Sequence, residues 1–297
     1  MKILSFGSLN VDLVYKVPHV VAKGETLSST EVNTYPGGKG LNQSIALGKA
    51  GAEVYHAGAI GEDGRFLLDY LTDAGVSTKF VKILPDIKSG HAIIQNTPDG
   101  DNCIILFGGA NQAITKEQVD EVLTEFESGD YLILQNEINE LSYIMEQAHA
   151  KGMKIVLNPS PMNDKILDLP LDYVNYFLLN EIEAGQILGN PVTDSNEAIT
   201  ALFAKFPNSK IVLTLGKDGA VFFDGTSKVS QGIYDIEVVD TTAAGDTFTG
   251  YFIAGEVKGL PVETSMDMAT KASTITVSRP GAGVAIPTLA EVEAFEI

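Results

Sequence analysis

From about residue 110 onward, short and wholly apolar runs alternate with segments of helical pattern. An apolar run without polar alternation indicates a strand buried on both faces, typical of a parallel sheet covered by helices. We predict strands at 131–134, 155–157, 176–179 and 211–215, and helices at 141–150, about 181–188 and about 195–205. Runs at 3–7 and 54–60, around a helix at about 41–49, can join the same sheet. The pattern predicts an α/β fold whose open, mostly parallel sheet lies between helices.

The first hundred residues contain a second kind of strand. The segments 11–17, 89–95 and 102–107 alternate in polarity or pair across turns, and Thr97-Pro98-Asp99-Gly100 is typical of a hairpin turn. We predict a small antiparallel β flap, or lid, formed by segments at about 11–34 and 89–107. No linker interrupts the chain, so 1–297 is predicted to be one domain. The flap is expected to close over a ligand or to form a homodimer contact.

The formal net charge of −19 argues against partners that require a basic protein face. Nucleic acids and anionic membranes are bound through lysine and arginine, so neither is expected as a partner. No apolar run is long enough to span a bilayer, and the N-terminus does not resemble a signal peptide. The single cysteine, Cys103, cannot form an internal disulfide and lies in an apolar run. It predicts a buried thiol and a reducing, cytoplasmic location.

The stretch 238–250 places an aspartate at a predicted helix start, behind a run of small residues. It reads Val-Val-Asp-Thr-Thr-Ala-Ala-Gly-Asp-Thr-Phe-Thr-Gly, and we predict a helix from Asp246 to about Lys258. Small residues let a ligand approach the free N–H groups of a first turn, where the helix dipole favours an anion. A carboxylate there can accept a proton from a hydroxyl beside a bound phosphate. The alternative is an aspartate that acts only as an N-cap.

A second glycine-rich turn, Gly37-Gly38-Lys39-Gly40, leads into the first predicted helix. It does not satisfy the phosphate-loop pattern Gly-x-x-x-x-Gly-Lys-Ser/Thr, because Gly40 follows Lys39. Asn42 lies on the first turn of the helix and carries both a donor and an acceptor, which suits sugar hydroxyls. A purely structural turn is the alternative interpretation.

Together the two stretches resemble the signature regions of the ribokinase-like (PfkB) carbohydrate kinases. The segment from Gly37 to Asn42 matches the first region, and the segment from Asp240 to Phe248 matches the second. The resemblance covers essentially the whole chain and is greatest toward members that phosphorylate ribose. It implies in-line transfer of the ATP γ-phosphoryl group to a primary hydroxyl of a sugar. It also implies a base, Asp246, and an anion hole formed by the N–H groups of Ala243, Ala244 and Gly245.

The resemblance further implies a sugar site whose residues are far apart in the sequence. Its members are Asn10, Asp12, Gly38, Lys39, Gly40, Asn42, Glu137 and Asp246. Ribose is the first substrate implied, and fructose, deoxyribose, 2-keto-3-deoxygluconate and nucleosides are the alternatives. Sugar phosphates and sugar acids fit this chain less well than neutral sugars, because their anionic groups favour arginine or lysine partners. The flap segments offer only Lys16 and Lys88.

Nucleotide and metal sites are implied in the same way. The implied ATP contacts are Asn180, Thr214, Gly216, Gly219, Gly245 and Thr270. Magnesium would be ordered through water by Asn180 and Glu183. Potassium, a possible activator, would be held mostly by carbonyl oxygens of Asp240, Thr242, Thr276, Arg279, Gly281 and Ala285. Without the resemblance, Asn180-x-x-Glu183 indicates only a helix start, and 214–219 indicates a hairpin turn.

Two other classes of protein fit the sequence less well than a kinase. A regulator that binds a sugar or nucleotide without turnover would be expected to lack the base, whereas Asp246 is present. A nicotinamide-dependent oxidoreductase would need Gly-x-Gly-x-x-Gly after the first strand, and Gly7-Ser8-Leu9-Asn10 does not supply it. The sequence therefore predicts a sugar kinase that uses ATP, and the resemblance implies a homodimer through its flap.

Overall fold

The computed structural model describes residues 1–99 and 101–296. Its strands are β1 (Ile3–Phe6), β2 (Asn10–Lys16), β3 (Glu31–Gly37), β4 (Val54–Ile60), β5 (Ser77–Ile83), β6 (Gly90–Asn96), β7 (Asn102–Phe107), β8 (Tyr131–Gln135), β9 (Lys154–Asn158), β10 (Val174–Asn180), β11 (Lys210–Thr214), β12 (Ala220–Phe223) and β13 (Lys228–Gln231). Its α-helices are α1 (Lys39–Lys49), α2 (Phe66–Asp73), α3 (Lys116–Leu123), α4 (Leu141–Ala150), α5 (Glu181–Leu188), α6 (Ser195–Lys205), α7 (Ala244–Val257), α8 (Val262–Val277) and α9 (Leu289–Glu293).

The large sheet has nine strands in the order β13-β12-β11-β10-β9-β8-β1-β4-β5. Every neighbouring pair in the part β11-β10-β9-β8-β1-β4-β5 is parallel. Only the two pairings at one edge, β11 with β12 and β12 with β13, are antiparallel. This topology confirms the prediction of an open, mostly parallel sheet.

Both faces of the large sheet are buried, and β8 illustrates why its sequence is apolar throughout. Leu132 and Leu134 belong to one apolar core, whereas Ile133 belongs to the other. The first core includes residues of α3 and α4. The second includes residues of α1, α7 and α8. Side chains alternate between the faces of a strand, so helices on both sides require an unbroken apolar run.

The small sheet has the order β3-β2-β6-β7. Its outer pairs, β2 with β3 and β6 with β7, are antiparallel as predicted, but the central pair β2–β6 is parallel. A parallel pair requires a long connection, which the first part of the large sheet supplies between residues 38 and 89. β2 follows β1 after three residues, so the flap starts directly at the end of β1. β1 is an inner strand of the large sheet, which together with its helices forms the body of the protein.

Several local predictions differ from the structure. Helix α7 begins at Ala244 rather than at Asp246, because Ala243 adopts a φ of 62° and turns the chain early. Helix α1 begins at Lys39 rather than at 41. Cys103 is half-buried rather than buried, because its strand β7 is at the edge of the small sheet. The predicted turn 97–100 extends to Gly100, which lies outside the described residues.

Across residues 1–99 and 101–296, no helix combines the length and apolar character needed to cross a bilayer.

Candidate active site

The predicted site residues lie where parallel strands end. Glu137 follows β8, Asn180 ends β10 and Thr214 ends β11, and Ser8, which was not predicted, follows β1. Ligands of open α/β sheets bind beyond these carboxyl ends. The strands β8, β9, β10 and β11 are successive neighbours. At a strand spacing of about 4.8 Å, the ends of β8 and β11, where the predicted sugar and nucleotide residues lie, are about 14 Å apart.

Asp246 is the third residue of α7, and its side chain is only 6% exposed. Its Oδ2 accepts a hydrogen bond from Asn42 Nδ2 at 3.1 Å, and its Oδ1 accepts one from Gln43 Nε2 at 2.9 Å. The candidate base is therefore held by the helix that follows the glycine-rich turn. The NH₂ group of Asn42, a predicted sugar ligand, faces this carboxylate, and among the described residues its buried Oδ1 has no hydrogen-bond partner.

The N-terminus of α7 has room for an anion at one position. Gly245 is exposed, and a Cβ added there would meet no heavy atom within 4 Å. The N–H groups of a first helical turn have no carbonyl partner within the helix. The predicted anion hole included the N–H group of Ala244. In the structure this N–H group instead donates to the Thr241 carbonyl at 3.3 Å. Ser273 Oγ, from α8, donates to the Ala244 carbonyl at 2.7 Å and ties the turn to the body.

Glu137 is anchored to both the glycine-rich turn and the end of β1. Its Oε2 accepts hydrogen bonds from the Ser8 hydroxyl and from the Lys39 backbone N–H, the latter at 2.8 Å. The Gly40 N–H donates to Ser8 Oγ at 3.1 Å. Burial raises the pKa of Glu137, although these hydrogen bonds oppose the rise. Gly38, with a φ of 94°, supplies the backbone turn that brings these groups together.

Lys39 contributes a positive charge in the middle of this acidic site. The charge of Asp246, followed by those of Glu137 and Glu183, raises the pKa of Lys39 against the opposing effect of burial. The ammonium group is therefore charged at neutral pH, where it offsets the carboxylates and can attract a phosphate.

Asn10 and Asp12 enter the site from the first strand of the flap. Asn111 Nδ2 donates to Asn10 Oδ1 at 2.7 Å, and Asn111 Oδ1 accepts from the Leu9 N–H at 3.0 Å. With its oxygen engaged, Asn10 offers its NH₂ group to a ligand. Burial, together with the charge of Glu137, raises the pKa of Asp12 to about 7.

We expect Asp12→Asn to stabilise the chain increasingly as the pH rises from about 5 to about 8. The pKa of Asp12 is about 7 in the folded chain against an ordinary 3.8, so the folded chain retains this proton longer. Stability from that proton is present below the ordinary pKa and is lost as the pH rises through the folded pKa. Asparagine has no such dependence. Thermal unfolding of both chains over this range measures the difference, with the exposed Asp73→Asn as control. A constant difference would contradict the assignment.

The Asn180-x-x-Glu183 pair forms a reciprocal capping box at the start of α5. Asn180 Oδ1 accepts from the Glu183 N–H at 2.9 Å, and Glu183 Oε2 accepts from the Asn180 N–H at 3.0 Å. The helix-start interpretation of this motif is therefore correct. Within residues 1–99 and 101–296, no group of three or more His, Cys, Asp or Glu side chains could hold a metal. The donors present suit a magnesium ion that retains water and is bound mainly through phosphate oxygens.

The predicted nucleotide turn connects β11 to β12. Gly216 and Gly219 have φ angles of 55° and 91°, which this tight antiparallel connection requires. Thr214 is half-buried and its hydroxyl donates to the Leu179 carbonyl at 3.4 Å. Thr270 is only 5% exposed in the middle of α8, so this predicted ATP contact offers little surface.

The two segments of the predicted cation site meet at Asp240. Its carboxylate accepts from the Thr242 N–H at 2.9 Å and from the Gly281 N–H at 3.1 Å. Burial would raise the pKa of Asp240, but hydrogen bonds from Thr242 and Gly281 outweigh it and lower the pKa. Arg279 directs its guanidinium to Glu291, at 2.7 Å, and the side chains of Thr276 and Ala285 are buried.

Sequence reasoning missed four polar residues that support the site: Ser8, Gln43, Asn111 and Gln135. Gln43 directly follows a predicted sugar ligand, and Gln135 ends an otherwise apolar buried strand. A polar residue at the carboxyl end of such a strand is the signal that could have identified Gln135.

Comparison with known proteins places this geometry in a family. A model described as "pfkB family carbohydrate kinase" matches residues 1–289. The ribokinase of Bacillus subtilis (strain 168) is 33% identical over 291 residues, which cover 97% of this chain and 96% of that protein. The Arabidopsis thaliana ribokinase complexed with ribose and ATP superposes with a TM-score of 0.87 at 27% identity, covering 99% of this chain and 97% of the other. The Cryptococcus neoformans var. grubii serotype A ribokinase in complex with ADP superposes with a TM-score of 0.86 at 32% identity, covering 99% of both chains.

Proposed function

Because the chain belongs to the pfkB family of carbohydrate kinases, we propose that it transfers the γ-phosphoryl group of ATP to D-ribose, forming ribose 5-phosphate. The chain is an ATP-dependent sugar kinase. Its relatives named ribokinase match nearly the full length of the chain, and one of them is described with ribose and ATP together. The choice of ribose rests on these relatives and on the carboxylates of the candidate sugar site, Asp12, Glu137 and Asp246, which suit the hydroxyl groups of a neutral sugar.

The observation that carries the mechanism is the contact between Asp246 and the helix after the glycine-rich turn. Asn42 and Gln43 hold the carboxylate at both oxygens, while the neighbouring Gly245 leaves space at the helix N-terminus. A base, a sugar-binding turn and an anion site are thereby adjacent. These are the three parts that phosphoryl transfer to a hydroxyl requires.

In the proposed reaction the sugar hydroxyl loses its proton to Asp246 while its oxygen bonds to the γ-phosphorus of ATP. The bond from that phosphorus to the β,γ-bridging oxygen breaks, and ADP leaves. The N–H groups of the α7 first turn stabilise the charge on the migrating phosphoryl group. Lys39 offsets the negative charge of the site from the sugar side. Closure of the flap would exclude water and limit ATP hydrolysis.

The arginines of the chain favour a neutral sugar over a phosphorylated one. The chain has two arginines. Arg65 pairs with Glu62 at the surface, and Arg279 pairs with Glu291. Asp12 and Glu137 are both carboxylates, which accept hydrogen bonds from hydroxyl groups and repel a second anion. Fructose, deoxyribose, 2-keto-3-deoxygluconate and nucleosides are therefore competitors to test rather than preferred substrates.

We propose magnesium as the companion of ATP and potassium as an activator. Asn180 and Glu183 would hold magnesium through water, and the ion would offset phosphate charge. The support for a cation loop is Asp240, whose carboxylate joins the two implied segments through Thr242 and Gly281. Backbone carbonyl oxygens are suitable ligands for a large monovalent ion.

A homodimer through the flap is also proposed, in a cytoplasmic enzyme. The edge strand β7 exposes Ile104, Ile105, Leu106 and Phe107, each more than half exposed. A contiguous apolar edge of this kind indicates a surface covered by another chain. Light scattering would give the molar mass.

The test of the proposed function is ADP release measured with Mg-ATP over a panel of sugars. We expect turnover on ribose to exceed that on fructose, deoxyribose, 2-keto-3-deoxygluconate and nucleosides, because the site residues match those implied for ribose. Omitting magnesium should abolish turnover, and replacing potassium with a larger organic cation should reduce it. Preferred turnover on another panel member would contradict the ribose assignment while retaining the mechanism.

A further inference from the structure

Behind the candidate base lies a row of two buried glutamines. Gln43 Nε2 donates to Asp246 Oδ1 at 2.9 Å, and Gln135 Nε2 donates to Gln43 Oε1 at 2.6 Å. The exposed fractions are 6% for Asp246, 0% for Gln43 and 1% for Gln135. The row joins three elements, α7, α1 and the end of β8.

The direction of every hydrogen bond in the row is determined by the carboxylate. An ionised carboxylate only accepts, so Gln43 must present its NH₂ group to Asp246 and its oxygen to the opposite side. Gln135 must then present its own NH₂ group to that oxygen. Asn42 occupies the other carboxylate oxygen at 3.1 Å. With both oxygens engaged, the plane of the Asp246 carboxylate is held against rotation.

Two buried amides stabilise a core less than apolar side chains of the same size would. Within the described residues, Gln135 Oε1 is buried without a hydrogen-bond partner. An unsatisfied buried acceptor is destabilising, whereas replacing both amides with apolar side chains of similar shape would avoid that loss. The end of β1 is also shaped around this amide, because a Cβ at Gly7 would lie 2.4 Å from Gln135 Oε1. Packing alone gives no reason for two amides here.

We propose that Gln43 and Gln135 are positioning residues that orient Asp246 for proton transfer. The inference rests on the proposed function, in which Asp246 is the base. Gln43 acts directly on the carboxylate, and Gln135 acts through Gln43. Both side chains are buried behind Asp246, so both are expected to influence kcat rather than the KM for ribose.

The test is a mutant cycle that combines Gln43→Leu with Asp246→Ala, together with Gln135→Leu. In the parent chain, Gln43→Leu should lower kcat about 10- to 10²-fold, since misorientation of a reacting group costs up to about 10²-fold. The KM for ribose should change less than about twofold. In the Asp246→Ala background, Gln43→Leu should have no further effect on the residual rate, because there is no carboxylate left to orient. Gln135→Leu should lower kcat by a smaller factor.

A pH profile provides a readout that a structural role would not change. In Gln43→Glu, the new carboxyl group must be protonated to donate to Asp246. We expect kcat of this variant to fall at alkaline pH, where the parent rate is level. At that pH the introduced carboxyl group is ionised, so it repels Asp246 and can no longer donate a hydrogen bond to it. The matched control is Gln118→Leu, which removes a buried glutamine that donates to the Gly58 carbonyl at 2.9 Å. It should lower thermal stability and leave kcat unchanged.

The outcomes separate this inference from the proposed function. Sugar-dependent ADP release by the parent chain, with kcat loss in Gln43→Leu only when Asp246 is present, supports both. An active parent chain whose Gln43→Leu variant keeps its kcat, or loses the same factor in the Asp246→Ala background, overturns the inference alone. A folded parent chain that releases no ADP with any sugar overturns the proposed function, and the inference with it.

Discussion

Asp246→Asn and Asp246→Ala are both expected to lower kcat about 10²- to 10⁴-fold, the range that a general base contributes. Neither replacement can accept the hydroxyl proton at neutral pH. The two variants should lose similar factors, because the missing function is proton acceptance and not a contact made only by the larger side chain. Asparagine also presents its NH₂ group to one of the two donors, Asn42 or Gln43, and so loses one of the two hydrogen bonds.

The measurements are kcat in the ADP-release assay and the dissociation constant for ATP. ATP binding should stay nearly unchanged, since the proposed nucleotide contacts are mainly the turn after β11 and the backbone N–H groups of the first turn of α7. Asp164→Asn, at an exposed position on the surface, is the control and should retain full activity. A variant at position 246 that keeps a substantial part of the parent kcat would rule out Asp246 as the base.

Gly40→Ala is expected to disrupt the site and the fold together. A Cβ at Gly40 would lie 2.3 Å from the Ser8 backbone nitrogen and 2.7 Å from the Gly7 Cα. Both obstacles are backbone, so α1 must move away from β1. Overpacking of this kind costs about 1–3 kcal/mol of stability. The same movement would displace Lys39 from Glu137 and Gln43 from Asp246, and we expect kcat/KM for ribose to fall about 10²-fold.

Thermal unfolding and steady-state kinetics measure the two effects. Gly232→Ala is the matched control, because a Cβ there meets no heavy atom within 4 Å and no left-handed φ is involved. It should change neither quantity. If Gly40→Ala retained the parent stability and activity, the close contact between α1 and β1 could not be a requirement of the site.

The elements of the body could be predicted from sequence because their signals are local. An unbroken apolar strand such as β8 requires cover on both faces, and the helix α4 was predicted with its observed bounds, 141–150. The first turn of α7 was less predictable. Its start depends on the left-handed φ of Ala243, which no local preference of alanine indicates.

The parts that escaped prediction depend on contacts between distant residues. The parallel pairing of β2 with β6 follows from how the flap returns to the body, and alternation of polarity is the same for either strand direction. Gln43 and Asp246 are 203 residues apart, and no sequence signal indicates that their side chains meet. In the same way, no sequence signal indicates that the NH₂ group of Asn42 donates to Asp246.

The strand β2 belongs to the flap, yet it carries Asn10 and Asp12, while Glu137 and Asp246 belong to the body. A sugar bound by both groups is therefore a bridge between two parts of the molecule. By thermodynamic reciprocity, whatever free energy a sugar gains from the closed flap is the free energy with which it closes the flap. We expect a sugar that lacks a hydroxyl group facing β2 to bind through the body alone, with its phosphoryl donor still open to water. Such a sugar would raise the ratio of ATP hydrolysed to sugar phosphorylated. The selectivity of this enzyme could therefore be measured as the fraction of ATP that is hydrolysed without phosphorylating a sugar.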